Sequence, residues 1–232
     1  MRIKIYKIMN TLKLYIIIIL NIFPLLIFAQ AKEIFVEDYY FIKNINSGRA
    51  TEYKDIVGSP YLNRDFTEGI FYFKDSTAYK IPIRYNIYSD EMEYQIKGIN
   101  YAINDPKSLN RILLGASYFI FLDSNTERGY YEVLETGKYT LLQKRKVNFR
   151  PEEGPKPIEG TIKPASFVKH PDIFFILNKD SQLKKISNLK SLINYMEDHK
   201  LKIESFVKKE KIKKAKKENL IKIVKYYNML NT

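Results

Sequence analysis

Two histidines, one run of carboxylates and four short Ser-x-x-Lys strings are the residues from which chemistry could be assembled. His170 and His199 are the only histidines and there is no cysteine, so no spacing used by a zinc site is present. Asp90-Glu91-Met92-Glu93 offers paired carboxylates of the kind that acid–base catalysis employs. Strand alternation puts Glu91 and Glu93 on one face, opposite Met92 and Tyr94, with Asp90 in a turn. An ordinary solvated sheet face has the same pattern, and that is the reading adopted. The strings Ser166/Lys169, Ser181/Lys184, Ser187/Lys190 and Ser205/Lys208 lack the S-D-N and K-T-G partners of a penicillin-binding type of site. Neither G-x-S-x-G nor HExxH occurs, and nine singly scattered glycines make no phosphate-cradling loop. The residues therefore propose no catalytic, metal-binding or cofactor-binding group, and the protein reads as non-enzymatic.

Two other features point to binding. Lys208, Lys209, Lys211, Lys213, Lys214, Lys216 and Lys217 form a basic run with no aromatic residue inside it. In an exported protein such a run suits anionic lipid head groups, lipopolysaccharide or an acidic partner protein better than nucleic acid. A solvated helix face under a lysine-rich codon bias is the plainer reading. Tyrosines are the second feature: Tyr39, Tyr40, Tyr85, Tyr88, Tyr94, Tyr101, Tyr118, Tyr130 and Tyr131 all fall on strand-like runs. Each supplies apolar area with a polar tip, which suits a sheet core and also a groove for an acyl chain, a glycan or a peptide.

The elements that must position these residues follow from hydrophobic period. Between 33 and 147 short β-branched and aromatic runs alternate with turns. Ile34–Ile42 reads as a strand and 44–49 as a turn. Gly69–Phe73 and Ala78–Ile83 flank Lys74-Asp75-Ser76-Thr77 as a hairpin, with Pro82 predicting an edge or bulged strand. Met92, Tyr94 and Ile96 alternate with polar residues, and Lys97-Gly98 turns the chain into Ile99–Ile103. Runs at Arg111–Leu114, Tyr118–Leu122, Tyr130–Leu134, Tyr139–Leu142 and Val147–Phe149 complete an antiparallel unit over 32–149, a curved sheet or an open barrel. A Pro- and Gly-rich linker covers 150–165. Within 166–232 a small strand pair (Ile173–Leu177, Leu183–Ile186) precedes about three amphipathic helices. Asn188 caps the first, Asp198 the second, and the third starts near Ala215. The fold class is thus α+β, an all-β unit followed by a small basic helical region.

Charge is unevenly distributed. Residues 181–232 hold 14 lysines against five acids, whereas 31–180 balance at 21 of each sign. The amino end has the three parts of a secretory signal: Arg2, Lys4, Lys7 and Lys13, then an apolar stretch from Leu14 to Phe28, then Ala29-Gln30-Ala31. Asn21 and Pro24 interrupt the apolar stretch, which is shorter than a spanning helix needs. Residues 1–31 are expected to be removed. The mature chain then has no transmembrane segment and resides in the periplasm or at the outer membrane.

The chain also resembles a family of uncharacterised exported proteins of Bacteroidetes-type Gram-negative bacteria. The resemblance is carried by Gly58-Ser59-Pro60-Tyr61-Leu62-Asn63, by Arg84 through Tyr94, and by Gly129 through Leu134. Tyr139 through Lys144 and the block from Asp198-His199-Lys200 to Tyr226-Tyr227-Asn228 extend it. It implies export and a β unit with a helical tail, and it brings no activity with it. One departure is Ser76, where the turn would be expected to hold glycine. The functional expectation is a binding or interaction module of the cell envelope, with an unidentified envelope protein, lipid or anionic surface as partner. The runner-up is a periplasmic carrier or chaperone holding a hydrophobic ligand in a Tyr- and Phe-lined β cavity.

Overall fold

The computed structural model describes residues 32–33, 47–123, 127–154 and 162–231. The expected signal segment, the strand at Ile34–Ile42 and the middle of the linker lie outside them. Fourteen strands are described: β1 (Lys32–Glu33), β2 (Ser47–Arg49), β3 (Thr67–Phe73), β4 (Ala78–Asn86), β5 (Glu91–Ile96), β6 (Ile99–Ile103), β7 (Leu109–Leu114), β8 (Ser117–Leu122), β9 (Gly129–Glu135), β10 (Tyr139–Lys144), β11 (Val147–Arg150), β12 (Ser166–Lys169), β13 (Ile173–Asn178) and β14 (Leu183–Ile186). Three helices follow: α1 (Leu189–Tyr195), α2 (Lys200–Lys209) and α3 (Lys217–Met229). The architecture is a mostly antiparallel sheet with C-terminal helices, as expected. Its path runs β14-β13-β10-β9-β8-β7-β3-β4-β5-β6-β2, with β1 joining β4 in parallel. Among the described residues the sheet is open, ending at β14 and β2, and not closed into a barrel.

Local chemistry accounts for most of the hairpins. Lys97 and Gly98 both have positive φ (49° and 76°), the conformation whose twist matches a two-residue hairpin. Ser76 takes φ 70°, which explains why glycine would suit that turn, and the β3–β4 hairpin forms around it. Two expectations need correction. Pro82 lies in a strand flanked by β3 and β5, neither at an edge nor at a bulge. It is tolerated because it sits between the stretch paired with β1 (Tyr79, Lys80) and the stretch paired with β5 (Ile83 onward). Ser47–Arg49, read as turn, is a short strand on β6.

The pair β13–β14 does not stand by itself: β13 pairs with β10 over six residues and extends the main sheet. Meanwhile β11 and β12 form a separate two-stranded ribbon at either end of the Pro- and Gly-rich stretch. One face carries two apolar cores. The first is built on β3–β9 and includes Phe71, Ile83, Tyr85, Met92, Ile112 and Phe119. The second joins Leu141, Ile176 and Ile186 to Leu192, Ile203, Leu220 and Val224 of the helices. Successive residues alternate sides, so Leu142 and Tyr131 face the other way and pack with Phe175.

Candidate binding surface

The basic run is an anchored turn between α2 and α3. Lys211, one residue beyond Glu210 at the end of α2, has φ 52°. Its N–H donates to the Lys208 carbonyl at 3.1 Å, and the Ile212 N–H donates to the Val207 carbonyl at 3.0 Å. This pair of bonds is the Schellman arrangement, completed by apolar contact between the residues at its ends. Here Ile212 is buried and packs with Val207 in the helical core. Asn219 secures the far side by donating to the Lys214 carbonyl at 2.9 Å. Lys208, Lys209, Lys211, Lys213, Lys214 and Lys216 are all exposed on this frame. Lys217 is placed differently: it is half-buried, with Nζ 3.7 Å from Glu132 Oε1.

Glu132 was not singled out in the sequence, yet it holds the joint between the two cores. On β9, Tyr130 belongs to the first core and Leu134 packs on the second; Glu132 lies between them on the same face. Ser117 Oγ donates to it at 2.7 Å and Arg145 Nη2 lies 2.5 Å away. Burial pushes the Glu132 carboxyl up, but the Ser117 bond and the charges of Arg145 and Lys217 outweigh burial and hold it below its ordinary value. The only hint in the sequence is an acid in the middle of an apolar strand, flanked by Tyr131 and Val133.

The carboxylate cluster is not a solvated face, which corrects the expectation for Glu93. Its side chain is fully buried. Arg84 Nε and Nη2 each approach Oε2 to 2.7 Å, and Asn86 Nδ2 donates to Oε1 at 2.9 Å. Arg84 in turn lies 3.8 Å over the Tyr61 ring and 4.3 Å over Phe66, and donates to the Tyr61 hydroxyl and the Arg64 carbonyl. Burial raises Glu93 above its ordinary value despite these bonds, and burial together with Glu93 pushes Tyr61 up to about 12. A carboxylate so enclosed reaches no substrate, so this is a structural ion pair. Asp90 accepts from the Tyr85 hydroxyl at 2.7 Å and the Tyr130 N–H at 3.2 Å in the adjoining turn.

Asp198 does not cap α2, whose N-cap is His199 without a side-chain bond. It accepts instead from Tyr227 at 2.9 Å and Lys138 at 2.5 Å, because those groups from α3 and the β9–β10 turn converge on it. Asn188 does cap α1, in a reciprocal pair with Ser191. His199 lies against Tyr227 (ring centroids 6.0 Å apart), and His170 is exposed after β12. Among the described residues no three His, Asp or Glu side chains gather as a metal would need. The tyrosines divide: Tyr85, Tyr94, Tyr130 and Tyr131 are buried, Tyr101 is half-buried, and Tyr88 and Tyr118 are exposed. Tyr39 and Tyr40 lie outside the described residues. No described helix is long and apolar enough to cross a membrane.

The chain matches no protein-family model, no curated protein and no solved structure.

Proposed function

We propose that this protein is an exported, non-enzymatic binding module of the cell envelope, periplasmic or associated with the outer membrane, whose basic C-terminal helices dock on an anionic lipid surface. The observation that carries the reading is Lys211. A left-handed residue at a helix end is usually glycine, and an L side chain there costs about 1 kcal/mol or more. A cation is kept at that cost, as one of six exposed lysines. Codon bias toward lysine would enrich the whole chain evenly, yet residues 181–232 hold 14 lysines in 52 positions and residues 31–180 hold 14 in 150. The buried Ile212 fixes the backbone, so the lysines project from an ordered frame and lose less freedom on docking. Each lysine near an anionic bilayer contributes about 1 kcal/mol.

Co-sedimentation with phosphatidylglycerol-containing vesicles and with pure phosphatidylcholine vesicles tests this. Binding is expected only to the anionic vesicles. It should weaken with added salt and be lost in a Lys209→Gln, Lys213→Gln, Lys214→Gln variant. Equal partition to both vesicles, or none to either, removes the reading.

A further inference from the structure

A second positive site lies away from the lysine turn, where β10 passes into β11. A cleft of about 540 Å³ opens there between the β4–β5 turn and the strands β13 and β14. Two of its cations are already committed. Lys144 lies 3.8 Å from Asp90 and donates to the Arg128 carbonyl, and Arg145 pairs with Glu132. Lys146, between β10 and β11, and Lys185 of β14 are exposed along the cleft and pair with no carboxylate among the described residues.

The cleft also has an aromatic wall. Tyr88 is 42% exposed, although its ring is braced by Tyr53, Phe149 and Phe167 at centroid distances of 5.9, 6.4 and 5.1 Å. A ring held this firmly offers its surface with little entropy to lose. Asn148 supplies an amide, and Glu127 supplies a carboxylate acceptor.

We propose that this cleft binds an anionic saccharide. A bare inorganic anion would meet Lys146 and Lys185 but would gain nothing from Tyr88 and would be opposed by Glu127. A neutral sugar would use Tyr88, Asn148 and Glu127 and leave both lysines idle. A sugar bearing a phosphate or carboxylate uses all of them: its C–H face on Tyr88, its hydroxyls on Glu127 and Asn148, its anion between the lysines. The volume lies within the range of small-ligand sites. The site does not depend on the lysine turn, and the two proposals fail separately.

Amide and side-chain shifts in 15N-labelled protein from the exporting host, titrated with glucose 6-phosphate, glucuronate, glucose and inorganic phosphate, provide the test. Shifts are expected at Tyr88, Lys146, Asn148 and Lys185 with the two anionic sugars, at least tenfold tighter than with glucose or phosphate. Lys146→Ala with Lys185→Ala should lose at least tenfold in affinity for the anionic sugars. Tyr88→Ala should lose affinity for the sugars and leave phosphate unchanged. Preference between glucose 6-phosphate and glucuronate tells a phosphorylated source from a uronic one. Phosphate binding as tightly as both anionic sugars, shifts confined to the 208–217 turn, or no shifts at all would overturn the proposal.

Discussion

Asn228 of α3 takes the place of a neighbouring strand beside Tyr139 of β10: its Oδ1 accepts from the Tyr139 N–H at 3.0 Å and its Nδ2 donates to the Tyr139 carbonyl at 2.9 Å. The same Nδ2 reaches the Thr136 carbonyl at 3.2 Å. The β9–β10 pairing begins only at Leu141, with a register shift beside it, so the mouth of the hairpin would otherwise leave these groups unpaired. Tyr227, the preceding residue, stacks on the Tyr139 ring with centroids 5.1 Å apart. Residues 139, 198, 227 and 228 thus meet in one joint, and 61, 84, 86 and 93 meet in another around the Arg84–Glu93 pair.

Asn228→Ala removes three hydrogen bonds at once and leaves two carbonyls and an N–H without partners. A loss of about 2–4 kcal/mol is expected in urea unfolding. Gly137→Ala should destabilise for a related reason, because its Cβ would enter the Asn228 amide. An Asn228→Ala protein as stable as the parent would show that water replaces the side chain without cost.

Arg84 and Glu93 should behave asymmetrically. Arg84→Met leaves a buried carboxylate with only the Asn86 bond and is expected to cost about 3–5 kcal/mol. Arg84→Met combined with Glu93→Leu should recover much of that loss, since two charges are no longer desolvated. Thermal unfolding of the single and double variants checks this. A double variant still far less stable than the parent would mean that the pair is favourable in its own right.

How far this was readable from residues depends on the range of the interaction. Met92, Tyr94 and Ile96 announce a strand, Lys97-Gly98 a hairpin and Asn188 a cap, because each is decided by its neighbours. Glu93 misleads because an acid in an alternating strand looks solvent-facing until the hairpin register puts Arg84 opposite it. The β3–β7 and β10–β13 pairings join residues about 30 to 45 positions apart across intervening hairpins, and no local period encodes them. Asp198 has the chemistry of a helix cap, and only the approach of Lys138 and Tyr227 shows where its carboxylate goes. The lysine run was visible at once, but that it is a turn pinned by Ile212, with Lys217 turned inward to Glu132, was not.

Lys211→Gly relieves the left-handed strain and is expected to stabilise the protein by about 1 kcal/mol. If the cation is there for binding, the same change weakens association with anionic vesicles while raising Tm. The opposed signs separate a functional lysine from a tolerated one. A variant that gains stability and binds as before would place Lys211 outside the contact.

Acid should loosen the helices before the sheet. Bonds to Ser117 and the charges of Arg145 and Lys217 hold Glu132 below its ordinary 4.5 against the upward push of burial. Lys138 and Tyr227 likewise hold Asp198 below 3.8 against burial. A lowered folded-state value means stability that is complete above the unfolded value and is lost as pH falls through the folded one. Both groups tie β9–β10 to the helices. Glu93 has the reverse sign: burial raises it, so the folded state takes up its proton more readily, and acid does not weaken the β4–β5 hairpin through it. Hydrogen exchange followed from pH 6 to about pH 3 should therefore show amides of α2 and α3 losing protection ahead of those in β4 and β5. Glu132→Gln should flatten that acid limb, at the cost of lower stability at neutral pH. An unchanged slope in the variant would mean that Glu132 does not supply the acid sensitivity.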